Sequence, residues 1–471
     1  MLIKKTILLL ISLLLLQTTL FAKLNLELPK QNSPNSAQHA SSYTSTPLRT
    51  KAGLMILRKL RSSNNIIEDP EINTWIRSIG NRLTTNASHS STPFYFLVSR
   101  DLSVNAFATQ GGVIVINAGA ILRSSSESEL AAIISHEIAH VTQRHIERMI
   151  AKSKNNGLVT NAALLAGILA SSKSPEAGQA ILNTTLATMA HKQLSFSREA
   201  EAEADRVGLR ILASSGFNPQ GMPLFLKKLE SLSDGKYESI REFLQNHPLT
   251  HKRVTDTQIR ANKFSRFKGR ENISYLYMRE KIRALTNARS IAKNTVPASI
   301  KKYSEAMRLN QAGNTKLALK YSGNRSKEIS EAVLISTLLN KQNRFTESIR
   351  LLEPLLKTYP EDLPLTIPLA QAYLATGKAE SAWKILNEII PSEQTSLEYF
   401  EIKQKAAHLS RRTSQAYYSV ASKNIRIGAY KTAETQLRQA IRSSSANNNE
   451  LRQIQQDLND VSAILKTINK R

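Results

Sequence analysis

The 471 residues include no cysteine. Disulfide bonds are therefore excluded, and so is an N-terminal cysteine able to carry a lipid. Stability must come from packing, and from a metal if one is bound. Long apolar runs are also lacking beyond the first 22 residues. The strongest internal candidate, GLVTNAALLAGILASS (157–172), is apolar for only about thirteen residues. Spanning a bilayer takes about twenty, so a membrane-crossing helix is not expected there. The stretch also lacks the Lys/Arg-lined polar face of an interfacial helix, which favours burial against the core. Acidic residues are scarce: 37 Asp/Glu face 64 Lys/Arg, a net charge of +27. Residues 251–300 hold 12 basic against 3 acidic side chains, and residues 301–471 hold 26 against 16. The excess is spread out, with no compact basic tail.

What is present first is MLIKKTILLLISLLLLQTTLFAK, with two lysines, an apolar run and Phe21-Ala22. This is the layout of a secretory signal peptide over residues 1–22, with an uncleaved anchor as the alternative. An exported chain rarely meets nucleic acid, so no nucleic-acid partner is expected. An anionic membrane surface or an acidic partner suits the charge better. Residues 23–48, rich in Ser, Asn and Pro, read as a disordered lead-in.

A mixed region follows over 49–260. NAFATQGGVIVINAGAI (105–121) reads as strand, being β-branched in VIVI, with Gly111-Gly112 permitting close backbone approach. Ser126 and Glu129 form a capping box, and a helix is expected from about Glu127 to Ile150. Residues 261–300 read as a basic helical linker, and 301–471 as wholly helical. There QAGNTKLALKY, KQNRFTESIRLL, ATGKAESAWKIL and RIGAYKTAETQL each place a small residue five positions after a turn residue. The pairs are Gly313/Ala318, Asn343/Ser348, Gly377/Ala382 and Gly428/Ala433. Asn343 to Gly377 is 34 residues, the tetratricopeptide period, but the flanking intervals of 30 and 51 are irregular.

The chemistry concentrates in SHEIAHVTQRH (135–145). Helix positions four apart share a face, so His136 and His140 can pinch one ion. Glu137, one residue along, reaches a water on that ion but is poorly placed to ligate it. This is the division of labour of an HExxH zinc site, with Glu137 as general base. His145 lies about 140° around a continuous helix from His140, and reads as solvated or locally paired. A third ligand must come from elsewhere. In SFSREAEAEADRVGLRIL (195–212), Glu199, Glu201, Glu203 and Asp205 compete. Glu201 and Asp205 share a face one turn apart, Glu203 points nearly opposite, and a carboxylate behind a ligand histidine is a sensible companion.

HExxH followed some sixty residues later by Glu201-Ala-Glu-Ala-Asp205 resembles the HtpX-like zinc metallopeptidases, a gluzincin-type family. The resemblance implies one Zn2+ per chain held by His136, His140 and Glu201, with Asp205 behind them. Ser197-Arg198 also matches. Asn105-Ala-Phe-Ala and Gly111-Gly112 resemble the family's edge strand, implying substrate binding along Asn105, Gly111, Gly112 and Val113; Gln110 stands where some members have proline. His247-Pro248 resembles a family histidine-proline, and His247 is expected to approach the zinc, as oxyanion stabiliser or as an occupant of the water's position. His251 has no motif support. The implied fold is mainly α with a small β-sheet (α+β): a gluzincin-type peptidase domain, then an α-helical tetratricopeptide-like repeat domain.

The family's multi-pass members have membrane helices that this chain lacks. Leader, peptidase and repeats together resemble a periplasmic branch of the family. That implies misfolded or unassembled outer-membrane proteins as substrates, with the barrel assembly machinery as neighbour. Two rival functions stand beside the endopeptidase. One is a chaperone or assembly adaptor acting through the repeats, with a latent or structural zinc. The other is peripheral membrane contact through the basic linker and residues 157–172.

Overall fold

A computed structural model describes residues 46–469 except 88–91, 110, 153–195, 233–239, 265–266, 268, 270–271, 290–295, 324–325, 327 and 444–446. The expected leader, most of the lead-in and the apolar stretch 157–172 lie outside the described residues. The architecture is mostly helical around one small mixed sheet.

Helices α1 (Thr46–Arg61) and α2 (Pro70–Thr84) open the described chain. Asp69 caps α2 by accepting from the Glu71 and Ile72 amides, and Pro70 fills the first helical position, where no amide is needed. Ile72, Trp75, Ile76, Ile79 and Leu83 recur at helical spacing and form its buried face. The sheet has the order β1-β3-β2, with β1 (Tyr95–Ser99) parallel and β2 (Ala106–Ala108) antiparallel to β3 (Val113–Asn117). The expected single strand over 105–121 is thus a hairpin followed by a short helix, α3 (Ala118–Arg123). Gly111 and Gly112 turn it at φ 89° and 82°. A Cβ on Gly112 would meet the Pro93 carbonyl oxygen at 2.1 Å, so only glycine fits.

Helix α4 (Glu127–Thr142) starts as expected: Ser126 Oγ accepts from the Glu129 amide, while the Glu129 carboxylate accepts from Ser125 N. It does not run on to Ile150. Arg144 takes φ 53°, and α5 (His145–Lys152) leaves in a new direction. Helix α6 (Arg198–Ser214), capped by Ser197, packs along α4. At Gly208 a Cβ would stand 3.0 Å from Ser135 O and 3.1 Å from His136 N and Cα. The missing side chain lets the two backbones touch at the level of the HExxH segment. Helices α7 (Gly221–Leu232), α8 (Arg241–Asn246) and α9 (His251–Ala261) complete this region.

Within the expected basic helical linker 261–300, one helix joins the core. Helix α10 (Ser274–Leu285) buries Tyr275, Tyr277, Met278 and Ile282 in the same apolar core as α2, α4 and the sheet. Its Lys281 Nζ sits 2.9 Å from Asp69 and 2.8 Å from Glu71, a buried cation between two carboxylates at the start of α2.

Beyond it, α11 (Ala298–Gln311), α12 (Thr315–Ser322), α13 (Ile329–Lys341), α14 (Phe345–Thr358), α15 (Leu363–Ala375), α16 (Ala379–Asn387), α17 (Leu397–Leu409), α18 (Thr413–Arg426), α19 (Tyr430–Arg442) and α20 (Asn448–Asn469) stack in sequence. Gly313, Asn343, Gly377 and Gly428 all adopt positive φ in the connecting turns. So does Arg411, at 61°, and Ala416 is buried five residues on. The irregular interval of 51 therefore divides at Arg411 into one full 34-residue period and half of another.

The loop between α16 and α17 docks back onto the N-terminal half. Arg61 donates to the carbonyls of Glu393 and Thr395, Arg58 pairs with Glu393, and Gln394 Oε1 accepts from the Phe96 amide of β1.

Candidate metal centre

Four buried side chains converge from three elements: His136 and His140 of α4, Glu201 of α6 and His247 just after α8. One ligand-type atom from each lies within 4.8 Å of the others. His136 Nε2 is 3.0 Å from His140 Nε2 and 3.3 Å from His247 Nδ1. Glu201 reaches all three rings, at 3.4, 3.3 and 3.1 Å respectively. The Phe196 ring stacks on His140 at 4.0 Å and Phe243 on His247 at 4.9 Å, fixing both imidazoles against apolar walls. The Asn246 carbonyl accepts from the Phe196 amide and ties those two walls together.

Glu137 lies beside the cluster. His247 Nε2 is 3.5 Å from its Oε1, and the backbone of Ala108 in β2 bears on the same carboxylate. Burial pushes its carboxyl above the ordinary range, opposed by the charges of His247 and His136. Asp205 Oδ1 is 3.1 Å from His136 Nδ1, on the far side of that ring from the cluster.

Arg253, on α9, went unnoticed in the sequence. It grips Asp205 with Nε at 2.7 Å and Nη2 at 2.9 Å, donates to the Pro248 carbonyl, and brings Nη1 within 2.7 Å of Glu201 Oε2. A basic residue six positions after His247-Pro248 was the available signal, but it was counted as part of a basic stretch.

The electrostatics favour a cation in this place. Burial raises the cost of every charge here, but Arg253 holds Asp205 below the usual carboxylate range. Against burial, the His247 charge and the imidazole hydrogen bonds hold Glu201 well below it. Two buried carboxylates, Glu201 and Asp205, face one buried guanidinium, an arrangement that favours further positive charge. Against burial, Asp205 and Glu201 raise the affinity of His136 for protons, by hydrogen bond and by charge. His140 is pushed well below its ordinary value, mainly by burial. A bound divalent cation would meet the same negative surroundings, and two or three imidazoles with one carboxylate is a zinc donor set.

The remaining expected site residues divide. Asn105 is fully buried, and neither its carboxamide oxygen nor its nitrogen has a partner among the described residues. Gly111 and Gly112 form the hairpin turn, and Val113 lies in the central strand with no exposure, so these three are not on the edge. The edge is β2. Thr109 N bonds Val113 O, Asn117 N bonds Asn105 O, and Phe107 registers with Val115. The intervening amides and carbonyls of Ala106 and Ala108 therefore face away from the sheet. Ala108 is also the backbone neighbour of Glu137. His145 is not solvated: the turn at Arg144 buries it, with Nδ1 2.9 Å from His140 Nδ1 and Nε2 3.1 Å from Glu203 Oε2. His145, and then Arg148, pull the Glu203 carboxyl down to about 2. His251 is exposed and pairs with Glu230.

Comparison with known proteins agrees with this geometry. Residues 70–261 match the model of peptidase family M48, and residues 339–406 match a tetratricopeptide repeat model. The beta-barrel assembly-enhancing protease of Escherichia coli K12 is 39% identical over 230 residues, covering 49% of this chain and 47% of that protein. Its Yersinia pestis counterpart is 32% identical over 381 residues, covering 76% and 77%. Metalloprotease LoiP of Escherichia coli is 28% identical over 183 residues, covering 38% and 66%. The alignment thus spans about half the length of the first of these relatives.

Proposed function

Because the chain belongs to peptidase family M48, we propose that it is a zinc-dependent endopeptidase of the periplasm. Its substrates are misfolded or unassembled outer-membrane proteins, and it works beside the machinery that assembles their barrels. The single observation that carries the catalytic part is the buried cluster itself. Four ligand-type atoms lie within 4.8 Å of one another, beside the buried carboxylate of Glu137.

In this reading His136, His140 and Glu201 hold the ion, and Asp205, pinned by Arg253, orients His136 through Nδ1. Zinc, when bound, polarises the scissile carbonyl and acidifies water. Glu137 accepts the proton of the attacking water and hands it to the leaving amine. Its raised affinity for protons, from burial, suits both halves of that transfer. An extended substrate adds to the sheet at β2 through the outward groups of Ala106 and Ala108, next to Glu137. The buried carboxamide of Asn105 is available to the same backbone. Unfolded chains fit such an edge better than folded ones. The stacked repeats offer a surface for clients or partners. The leader over 1–22 and the names of the relatives support export and an envelope role.

His247 supports a latent resting state. Its Nδ1 contacts with Glu201 and His136 support the reading in which it stands at the corner that a water must take. Activity then requires the loop after α8 to withdraw, which also gives weight to an adaptor role carried by the repeats.

The test is Glu137→Gln in the full chain. We expect zinc content to be unchanged and cleavage of an unfolded outer-membrane protein to fall about 10²–10⁴-fold. His247→Ala should raise basal cleavage. A wild-type chain that takes up no zinc, or a Glu137→Gln variant that cleaves normally, would overturn the reading.

A further inference from the structure

The two histidines of the HExxH segment are each backed by a carboxylate, but by different routes. Behind His136 the path is one step long: Nδ1 to Asp205 at 3.1 Å, and Asp205 to Arg253. Behind His140 it is two steps long: Nδ1 to His145 Nδ1 at 2.9 Å, then His145 Nε2 to Glu203 Oε2 at 3.1 Å, with Arg148 Nη1 at 2.8 Å from that same oxygen. Both paths end on an arginine.

We propose that His145 and Glu203 are positioning residues for the metal, forming a carboxylate–histidine relay that sets the tautomer and orientation of His140. The inference rests on the zinc reading of the cluster. The protons can be assigned in only one way if His140 ligates through Nε2, which faces His136 and Glu201. Nε2 is then bare, so the proton is on Nδ1. Nδ1–H donates to His145 Nδ1, which must be bare, leaving the His145 proton on Nε2. That Nε2–H donates to Glu203, an acceptor. Every donor meets an acceptor, with none left over.

The backbone is arranged for this contact. On an unbroken helix His145 would point about 140° away from His140. The chain instead breaks α4 at Arg144, a non-glycine residue held at φ 53°, and restarts as α5 with His145 turned back under His140. A side chain in the left-handed region is unfavourable, and such residues persist where the surrounding contacts require them. Phe196 closes the arrangement, stacking on His140 and leaning on His145 at 6.1 Å. The α6 residue that closes the relay, Glu203, lies on a different side of that helix from Glu201, so one helix serves both sides of the site.

The experiment compares full-length wild type, His145→Phe, His145→Asn and Glu203→Gln. Zinc affinity is measured by competition with a chromogenic chelator, and the visible spectrum is recorded with Co2+ in place of zinc. His145→Phe keeps the ring volume but ends the relay; zinc affinity should fall about 10–100-fold, with altered cobalt bands. Glu203→Gln, at a half-exposed position and compatible with folding, should lose affinity in the same direction by less. His145→Asn, which can accept and donate, should recover part of the loss. A merely structural role would lower the melting temperature and leave the cobalt bands and the metal affinity of the folded protein unchanged. If wild type binds zinc and both His145→Phe and Glu203→Gln bind it equally well, the relay is wrong and the metal site stands. If wild type binds none, both fall.

Discussion

The metal-bearing half and the repeat half solve opposite problems. In the first half charges are taken out of water and matched to specific partners: Asp205 to Arg253, His140 to His145, Lys281 to Asp69 and Glu71. In the repeats the recurring positions are steric. The turns accept Gly313, Asn343, Gly377, Arg411 and Gly428 alike, provided the backbone reaches positive φ, and a small buried residue follows five places later. Chemistry dictates identity in the first region, whereas in the second shape dictates only size. The two should therefore respond differently to substitution.

The largest effect is expected at Arg253. Arg253→Ala leaves Asp205 and Glu201 as buried carboxylates without their cation, a change that costs about 3–5 kcal/mol in comparable buried pairs. Denaturant unfolding of the metal-free chain would measure it, and zinc should restore part of the loss. A variant as stable as wild type would break the contrast on the chemical side.

A smaller effect is expected at Gly208. Gly208→Ala forces its new methyl against Ser135 O and the His136 backbone, so α6 must move away from α4 by a few tenths of an ångström. Overpacking of this kind costs about 1–3 kcal/mol. Here it should also weaken zinc binding, because Glu201 rides on the helix that moves. Calorimetry with zinc titration separates the two consequences.

The smallest effect belongs to Arg411. It is exposed, so Arg411→Gly removes no packed side chain and relieves a left-handed conformation. The gain is offset by the flexibility of glycine in the unfolded chain, and the net change should be within about 1 kcal/mol, on the stabilising side. Thermal unfolding would show it; a loss of several degrees would mean that this turn, too, depends on side-chain identity.

Legibility in the sequence followed the same divide. His136, Glu137, His140, Glu201 and Asp205 stood out because helical spacing translates directly into a shared face. Arg253, His145 and Glu203 did not, since their partners come from other elements or from across a helix break that no glycine or proline announces. Charge counting misled in one respect: Arg253 and Lys281 belong to the basic stretch 251–300, yet Arg253 is a buried counterion and Lys281 a largely buried one. Helix α10, inside the expected linker, is part of the core. In the repeats, glycine and asparagine marked turns but arginine hid one.

By itself the sequence determined the periodic and local features: where helices cap, which residues share a face, and the 34-residue beat of the turns. Each depends on neighbours within a few positions along one element. Only the tertiary structure decided which edge strand lies beside Glu137, which way His145 turns, and which of many cations neutralises the buried carboxylates. Those depend on distances between segments far apart in the chain, set by how closely backbones approach at places such as Gly208.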